Sequence, residues 1–252
     1  MVEQTVILAA GRGTRMRLLT RDKPKCLTRL LGVPIIEWTL STLEYLGIND
    51  IIVVTGWMGY KIKRALNHWR NRIKLRFVFN RFYAKYENAV SILAASRHLK
   101  EEFLVLMSDH FYSIKIIEKM LEQTSFTMGV DSQPNPAVDI EEATKVLVLN
   151  GIIKSIGKKI KQFNAIDIGA FVLDRSVLHF IKKAMYRGKA SLSEVVLLMI
   201  KNGFEFRAFD IKGAFWIDID TPKDLKKAEE YVSRFFGKYR RILQDKMLSS
   251  IL

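Results

Sequence analysis

The chain has 252 residues, a single cysteine and a formal net charge of +15. This length is sufficient for one large α/β domain with a substantial core. The lone Cys26 excludes an internal disulfide and a metal site built from several cysteines, and it fits a reducing, cytoplasmic compartment. We expect neither a signal peptide nor a membrane span, because no apolar run is long enough.

An excess of positive charge usually indicates a polyanionic partner or an anionic lipid surface. Here the basic residues are dispersed in short groups, such as those at 61–64 and 158–161, without an aromatic-basic nucleic-acid motif. We therefore expect no nucleic-acid partner and interpret most of these charges as solvated surface. A small polyanionic substrate would also be attracted by a positive field around its cleft, and abundant Lys beside Glu is consistent with a thermophilic source.

A glycine loop follows the first predicted strand, residues 5–9. Gly11 and Gly13 let backbone N–H groups approach phosphate oxygens, and Arg15 and Lys25 can neutralise phosphate charge. The pattern is neither the dinucleotide fingerprint, since Met16 replaces its third glycine, nor the Walker loop, since no Gly-Lys-Ser/Thr follows. We interpret it as a third kind of phosphate loop, for a nucleoside triphosphate, although Gly-Arg-Gly alone is also typical of an ordinary turn.

Strands and helices alternate through the first half of the sequence. Predicted strands at 5–9, 51–55, 75–79 and 103–107 are followed by predicted helices at 35–46, 58–69, 88–98 and 114–123. This alternation predicts an α/β fold with a doubly wound, mostly parallel Rossmann-like sheet and helices on both faces. Ligands in such sheets bind beyond the carboxyl ends of the strands. Gly11, Asn80 and Asp109 should therefore surround one crevice.

The pattern changes after a predicted strand at 126–130. Strands at 145–149 and 152–156 flank Asn150-Gly151, a strong hairpin signal, so we expect a small antiparallel excursion. A strand at 165–173, a helix at 192–202 with a Ser191/Glu194 capping box, and a strand at 204–209 follow. Thr221 is expected to cap a last helix that runs from residue 222 to about 235. We assign 1–236 to one domain and 237–252 to a basic and then apolar tail.

Two aspartates are candidate metal ligands. Asp109 follows a buried strand, and Asp218 stands just before the last helix, where the chain should return to the same crevice. Mg²⁺ takes one or two protein carboxylates and completes its octahedron with phosphate oxygens and water. The alternative is helix capping, by Asp109 for the next helix and by Asp218 or Asp220 for the last one. Because the phosphate loop is present, we favour the metal site.

These groups suit nucleotidyl transfer, in which an acceptor phosphate attacks the α-phosphorus of a triphosphate and pyrophosphate leaves. The attacking phosphate is already ionised, so charge neutralisation and alignment suffice, and Arg15, Lys25 and Asp109 are the expected catalytic residues. We assign no catalytic histidine; His110 either packs locally or orders the metal shell. Base selection is expected at Asn80 and at 86–88, where a strand-ending turn and a helix cap are equally typical.

The loop and the Pro24-Lys25 pair resemble the G-x-G-x-R and P-K signature of the sugar-1-phosphate nucleotidyltransferases. Most of the chain is more specifically similar to the inositol-1-phosphate cytidylyltransferases of hyperthermophiles. That similarity rests on Val54-Thr55-Gly56, Glu87-Asn88, Met107-Ser108-Asp109-His110, Gly129-Val130-Asp131, Glu142-Ala143-Thr144-Lys145, Ile156-Gly157-Lys158, the segment 164–169 and the segment 216–222. The family's usual Pro-Lys-Pro-Leu stands here as Pro24-Lys25-Cys26-Leu27, and its Asn-Gly pair as Asn88-Ala89.

The resemblance implies a nucleotidyltransferase, GT-A-like fold, CTP and a phosphorylated polyol as substrates, and Mg²⁺ held by Asp109 and Asp218. The leading acceptor is L-myo-inositol 1-phosphate, which would give CDP-inositol and pyrophosphate for di-myo-inositol phosphate synthesis. The expected nucleotide-binding residues are Leu8, Ala9, Ala10, Gly11, Gly13, Thr14, Arg15, Lys25, Asn80, Glu87, Asn88 and Ser108. The expected acceptor-binding residues are Lys145, Lys159, Asn164 and Asp167, with Lys158 competing with Lys159 for the acceptor phosphate.

Several alternatives stay open at this point. The same chemistry on a sugar 1-phosphate or phosphocholine is the nearest one, and a non-catalytic regulatory subunit belongs to another class. Several relatives fuse this domain to a membrane-embedded CDP-alcohol phosphotransferase, so the resemblance implies such a partner near the membrane. The tail would then be a surface helix, a membrane-proximal tether or an excised fragment, and we favour a packed terminal helix over membrane contact because the apolar stretch is short. A homodimer is also left open.

Overall fold

The structure is a computed structural model that describes residues 1–13, 21–135, 138–188 and 190–234. Its strands are β1 (Gln4–Ala9), β2 (Arg29–Leu30), β3 (Val33–Pro34), β4 (Asp50–Thr55), β5 (Lys74–Phe79), β6 (Glu102–Met107), β7 (His110–Tyr112), β8 (Thr127–Asp131), β9 (Lys145–Leu149), β10 (Ile152–Gly157), β11 (Ala165–Asp174), β12 (Arg207–Asp210) and β13 (Trp216–Asp218). Its helices are α1 (Ile35–Tyr45), α2 (Gly59–Ala65), α3 (Ala89–Ala94), α4 (Ile114–Leu121), α5 (Val177–Tyr186), α6 (Leu192–Lys201) and α7 (Pro222–Arg234).

A nine-stranded sheet organises the described chain, in the order β5-β4-β1-β6-β11-β8-β12-β10-β9. β1 lies parallel between β4 and β6, and all six of its residues are buried. A strand covered on both faces is typically apolar along its length, and residues 6–9 of β1 are all apolar. The carboxyl ends of β1, β4 and β6 therefore lie at the same edge of the sheet.

Helices cover both faces of this sheet. Along β1, Val6 and Leu8 pack into an apolar cluster with residues of α3, α5 and α6. Ile7 and Ala9 point to the opposite face, where they pack with residues of α1, α2 and α4. This alternation follows from the two-residue period of a strand.

The sheet is mixed, so the prediction of a mostly parallel sheet is only partly right. β11 runs antiparallel to both β6 and β8, because the chain returns to the centre of the sheet from the opposite end. The predicted hairpin β9–β10 is present, with Asn150 and Gly151 both at positive φ as a tight turn requires. It is not a separate excursion, however: β10 pairs with β12, and β9 also pairs with the start of β11.

Some local predictions are confirmed and others need correction. The Oγ of Ser191 accepts from the backbone N–H of Glu194 at 3.2 Å, which is one of the two bonds of the predicted capping box. The predicted helix 58–69 ends at Ala65 and is followed by a 3₁₀ turn at Asn67–Asn71, and the predicted helix 88–98 is similarly split after Ala94. The predicted strand 204–209 begins only at residue 207, and helix α5 and strands β7 and β13 were not predicted.

No helix among the described residues is long and apolar enough to cross a bilayer. The predicted tail, residues 237–252, lies outside the described residues, so its suggested membrane contact has no structural support. Thr14 and Arg15 of the phosphate loop also lie outside them.

Candidate active site

Asp109 and Asp218 are brought together by the pairing of two short strands. β7 begins directly after Asp109 and pairs antiparallel with β13, so that Asp218 stands opposite His110. The backbone N–H of Ile219 donates to the carbonyl of Asp109 at 3.1 Å, which extends this pairing by one bond. Two carboxylates from distant parts of the chain therefore lie side by side at the end of β6.

An apolar cluster beneath this pair of strands holds it in place. Phe111 of β7 and Ile217 of β13 are almost fully buried with Trp38 of α1 and Val232 of α7. Because side chains alternate along a strand, burying Ile217 directs Trp216 and Asp218 to the opposite side. The helices α1 and α7 thus fix which residues of β13 face the cleft.

The ammonium of Lys25 bridges the carboxylates in this cleft. It donates to Asp109 Oδ2 at 2.7 Å and to Asp218 Oδ1 at 3.1 Å, and it also contacts Asp220 Oδ1. Burial alone would lower the pKa of Lys25, but the three carboxylates raise it above the usual value. Burial would likewise raise the pKa of Asp109, yet Lys25 and His110 hold it below its usual range. Both side chains are therefore charged at neutral pH.

Asp109, His110 and Asp218 form a group that could hold a metal ion. One ligand atom from each lies within 4.8 Å of the others. His110 Nδ1 is 3.0 Å from Asp109 Oδ1 and 3.6 Å from Asp218 Oδ1. The pKa of Asp218 is raised to about 6, chiefly by burial, although His110 opposes the shift. Since one ammonium already bridges the two carboxylates, their spacing fits a single shared cation.

The capping alternative is not what the structure shows. The residue before α4 is Ser113, and the last helix is capped by Thr221, whose Oγ1 accepts from the backbone N–H of Asp224 at 3.3 Å. Asp224 Oδ2 in turn accepts from the backbone N–H of Thr221 at 2.8 Å. Asp109 and Asp218 are thereby left to face the cleft.

A cavity of about 260 Å³ opens beside the glycine loop. Every predicted nucleotide-binding residue that the structure describes lines it: Leu8, Ala9, Ala10, Gly11, Gly13, Lys25, Asn80, Glu87, Asn88 and Ser108. Asp109 forms part of the same wall, and so does Tyr86, which belongs to the predicted base-selecting segment 86–88. Tyr83 also lines the cavity but was not predicted. Its only signal in the sequence is that it is an aromatic residue close after Asn80. We call this space the first cavity.

The two asparagines of the first cavity also make structural contacts. Asn80 is buried; its Oδ1 accepts from the backbone N–H of Phe82 at 2.9 Å, which is the strand-ending turn expected as an alternative. Asn88 precedes α3 but makes no side-chain cap there. Its Oδ1 instead accepts from the backbone N–H of Leu192 at 2.9 Å, joining α3 to α6.

A second cavity of about 860 Å³ adjoins the first and shares Asn88, Met107 and Asp109 with it. Lys158 and Asp167 line this second cavity, and burial raises the pKa of Asp167 to about 6. Lysines 223 and 227 of α7 contribute further positive charge. An anionic acceptor would therefore meet both cations and carboxylates in this cavity.

Three predicted acceptor residues do not line the second cavity. Asn164 pairs with the backbone of Val148, accepting at 2.9 Å and donating at 2.8 Å, so it extends the hairpin. The ammonium of Lys145 lies 3.4 Å from the carbonyl of Lys158. Lys159 is also absent from the lining, whereas its neighbour Lys158 belongs to it.

Known proteins share this sequence pattern and this fold. The bifunctional IPC transferase and DIPP synthase of Aquifex aeolicus is 32% identical over 92% of this chain and 52% of its own length. The protein of the same name from Thermococcus kodakarensis is 35% identical over 92% of this chain and 51% of its own length. The chain thus spans about half the length of these curated relatives.

Solved structures agree with this relationship. The inositol-1-phosphate CTP transferase from T. maritima superposes with a TM-score of 0.83 at 27% identity, covering 92% of this chain and 95% of that one. The CTP:phosphocholine cytidylyltransferase of Streptococcus pneumoniae superposes with a TM-score of 0.72 at 26% identity, covering 92% and 100%. A family model described as nucleotidyl transferase matches residues 4–234. The mixed sheet, the glycine loop and the paired carboxylates at the end of β6 agree with this match. The chain therefore belongs to the nucleotidyl transferase family.

Proposed function

We propose that this chain transfers CMP from CTP to L-myo-inositol 1-phosphate, giving CDP-inositol and pyrophosphate. The observation that carries the proposal is the position of Asp109, in the wall shared by the first and second cavities. A nucleotide in one cavity and an acceptor in the other would meet at this carboxylate. The names of the curated relatives and of the T. maritima structure support CTP and inositol 1-phosphate as the substrates.

The first cavity takes the nucleotide in this proposal. Gly11 presents backbone with no side chain, and an added Cβ there would meet nothing within 4 Å, so the space above it is open to a phosphate. Lys25 lines the same cavity and remains cationic, which suits it to the triphosphate once its carboxylate partners are neutralised. Asn80, Glu87 and Asn88 are assigned to the base. Thr14 and Arg15 stay predictions for the phosphates.

Asp109 and Asp218 are the proposed Mg²⁺ ligands, with His110 as their neighbour. When bound, Mg²⁺ would neutralise charge on the phosphates and polarise the reacting phosphorus. The carboxylates hold and orient this cation, while Lys25 and the loop backbone stabilise the remaining phosphate charge. The acceptor phosphate is ionised at neutral pH, so no side chain has to remove a proton from it.

The second cavity takes the acceptor. Lys158 is placed to pair with the phosphate, and Asp167, Thr144 and Ser193 offer groups that can bind ring hydroxyls. A phosphorylated polyol combines one anionic group with several hydroxyls, which suits a wall of mixed charge. Lys145, Lys159 and Asn164 stay predictions for this role, as do a homodimer, a CDP-alcohol phosphotransferase partner near the membrane, and the domain limits 1–236.

A substrate panel tests the proposal. Pyrophosphate release is measured with CTP, UTP, ATP and GTP, each combined with inositol 1-phosphate, glucose 1-phosphate or phosphocholine, with and without Mg²⁺. We expect pyrophosphate release with the pair CTP and inositol 1-phosphate, and we expect this release to require Mg²⁺. Release with another pair at a higher kcat/KM would replace the proposed substrates, and no release with any pair would favour the non-catalytic alternative.

Two variants test the assigned residues. We expect Asp109→Asn to abolish release, whereas the control Asp174→Asn, at the end of β11, should retain it. Full activity in Asp109→Asn would refute the metal assignment. Lys158→Met should raise the KM for the acceptor about tenfold, as loss of one charge-assisted hydrogen bond implies. Lys159→Met is its matched control, and the reverse outcome would move the phosphate contact to Lys159.

A further inference from the structure

Asp131 is a buried carboxylate, and the three donors that bond it among the described residues are neutral N–H groups. It ends β8 with no exposed surface. Its Oδ1 accepts from the backbone N–H groups of Gln133 at 3.0 Å and Gly213 at 2.9 Å, and its Oδ2 accepts from the indole N–H of Trp216 at 3.0 Å. Burying a carboxylate is costly unless such donors satisfy it. Because a carboxylate is unfavourable to bury, its presence at position 131 needs an explanation other than packing.

Trp216 connects this carboxylate to the proposed metal site. The Trp216 ring stacks on the His110 ring, with 5.8 Å between centroids and an angle of 22° between planes. His110 Nδ1 in turn lies 3.0 Å from Asp109 Oδ1. Gly169 also lies close to the His110 ring, because a Cβ added to this glycine would lie 3.1 Å from His110 Nε2. The orientation of His110 therefore depends on where the indole is held.

We propose that Asp131 and Trp216 are positioning residues for the cation-binding group Asp109–His110–Asp218. Asp131 fixes the indole through its Oδ2, the indole fixes the plane of the His110 ring, and His110 orients the Asp109 carboxylate. The same anchor secures β13, which carries Asp218 two residues after Trp216. This inference rests on the metal assignment in the proposed function. Groups that directly orient metal ligands typically change the affinity for the metal 10- to 100-fold, and because Asp131 acts through Trp216 we expect the lower end of this range.

Asparagine at position 131 would break this connection selectively. The two backbone donors share Oδ1, so the amide oxygen of asparagine can replace it for both of them. Its NH₂ group would then face the indole N–H, and two donors cannot bond. Trp216→Phe removes the same bond from the other side, since phenylalanine has no N–H.

Asp210 provides a matched control at the end of the neighbouring strand β12. Its Oδ1 accepts from the backbone N–H groups of Ser132 at 3.1 Å and Lys212 at 3.0 Å, and its Oδ2 accepts from Ser132 Oγ at 2.6 Å. Asparagine here would place its NH₂ against a hydroxyl, which can accept. Asp210→Asn thus perturbs the same loop without touching the indole bond.

The experiment measures Mn²⁺ binding to the full chain by electron paramagnetic resonance, without nucleotide, together with the melting temperature of each variant. We expect Asp131→Asn and Trp216→Phe each to weaken Mn²⁺ binding about 10-fold, and Asp210→Asn to leave it unchanged. The double variant should be no weaker than the worse single variant, because both changes break one bond. Raising Mg²⁺ should restore pyrophosphate release in the two affected variants.

The outcomes separate this inference from the proposed function. Wild-type affinity in Asp131→Asn, or an equal loss in Asp210→Asn, would reduce Asp131 to a structural role and overturn the inference. Should Asp131→Asn fail to fold, Trp216→Phe decides by the same criterion. If the wild type binds no Mn²⁺, the metal assignment and this inference both fail. If it binds Mn²⁺ with the expected pattern but releases no pyrophosphate from CTP, only the proposed function fails.

Discussion

Replacing Lys25 by methionine removes the ammonium that bridges three carboxylates. Lys25 is only 6% exposed, and its Nζ lies 2.7 Å from Asp109 and 3.1 Å from Asp218. Methionine preserves most of the length and the apolar stem. The variant therefore isolates the charge, and it leaves Asp109, Asp218 and Asp220 repelling one another.

The size of the effect follows from this geometry. Removing one partner of a buried ion pair typically costs about 3 to 5 kcal/mol, because the remaining charge stays buried. The side chains of Asp109 and Asp218 are 30% and 35% exposed, so water screens part of the repulsion. We therefore expect a loss of about 2 to 3 kcal/mol. For a domain of this size, this corresponds to a melting temperature lower by about 4 to 12 °C.

A divalent cation should reverse this loss. Mn²⁺ at about 100 times its Kd stabilises a folded protein by about 2.7 kcal/mol, which is close to the expected deficit. In the wild type, the same cation has to displace the Lys25 ammonium from the carboxylates, so its stabilising effect should be smaller. Thermal unfolding with and without Mn²⁺ measures both effects, and Lys63→Met, at an exposed position on α2, is the control.

Two results would refute this reasoning. If Lys25→Met melts at the wild-type temperature, the carboxylates do not need the ammonium. If Mn²⁺ stabilises the variant no more than the wild type, then Lys25 and the cation do not compete for one position.

Two further predictions concern the glycine loop and the first parallel strands. Gly11→Ala should leave the melting temperature unchanged but raise the KM for CTP. Gly13→Ala should instead cost about 1 to 2 kcal/mol of stability, because residue 13 has a φ of 61° and an added Cβ would lie 2.6 Å from the Cβ of Lys25. Equal melting temperatures for the two variants would contradict this prediction. Burial would raise the pKa of Asp50, but its hydrogen bond to Arg76 at 2.5 Å lowers it. A depressed folded-state pKa contributes stability above the unfolded pKa, so Asp50→Asn should lose about 1 kcal/mol at pH 7. In urea unfolding, this difference should begin to fall near the unfolded pKa of about 4 and vanish only below the lower folded-state pKa.

The first half of the fold could be predicted because its strands are buried on both faces. The apolar runs of β1, β4 and β6 lie between turn residues, which distinguishes them from the helices that follow. The direction of β11 could not be predicted in this way, because an apolar run does not reveal from which end the chain enters the sheet. Its central position, between β6 and β8, depends on contacts that are distant in sequence.

The predicted nucleotide residues lie together because the strands that carry them end at one edge of the sheet. β7 and β13 were missed because three residues are too few to show a periodicity. Their pairing sets the distance between Asp109 and Asp218, so the sequence indicated the candidate ligands without indicating how closely they lie. The bond between Asp131 and Trp216 could not be predicted either, because it joins residues 85 positions apart in sequence. Its only signal was two polar groups in apolar surroundings.

Lys25 shows why residue types and spacing alone leave the chemistry incomplete. Its place after the glycine loop predicts a phosphate contact, yet its ammonium here bonds carboxylates 84, 193 and 195 residues away in sequence. The predicted phosphate contact and the observed carboxylate contacts involve the same ammonium, because Lys25 also lines the first cavity. Lys25 therefore lies between the carboxylates and the proposed position of the phosphates. If a divalent cation neutralised the carboxylates, their attraction for the ammonium would fall, and a bound triphosphate would become its stronger partner. Binding of the metal and of the nucleotide should therefore favour each other through this side chain, and Lys25→Met should remove that coupling.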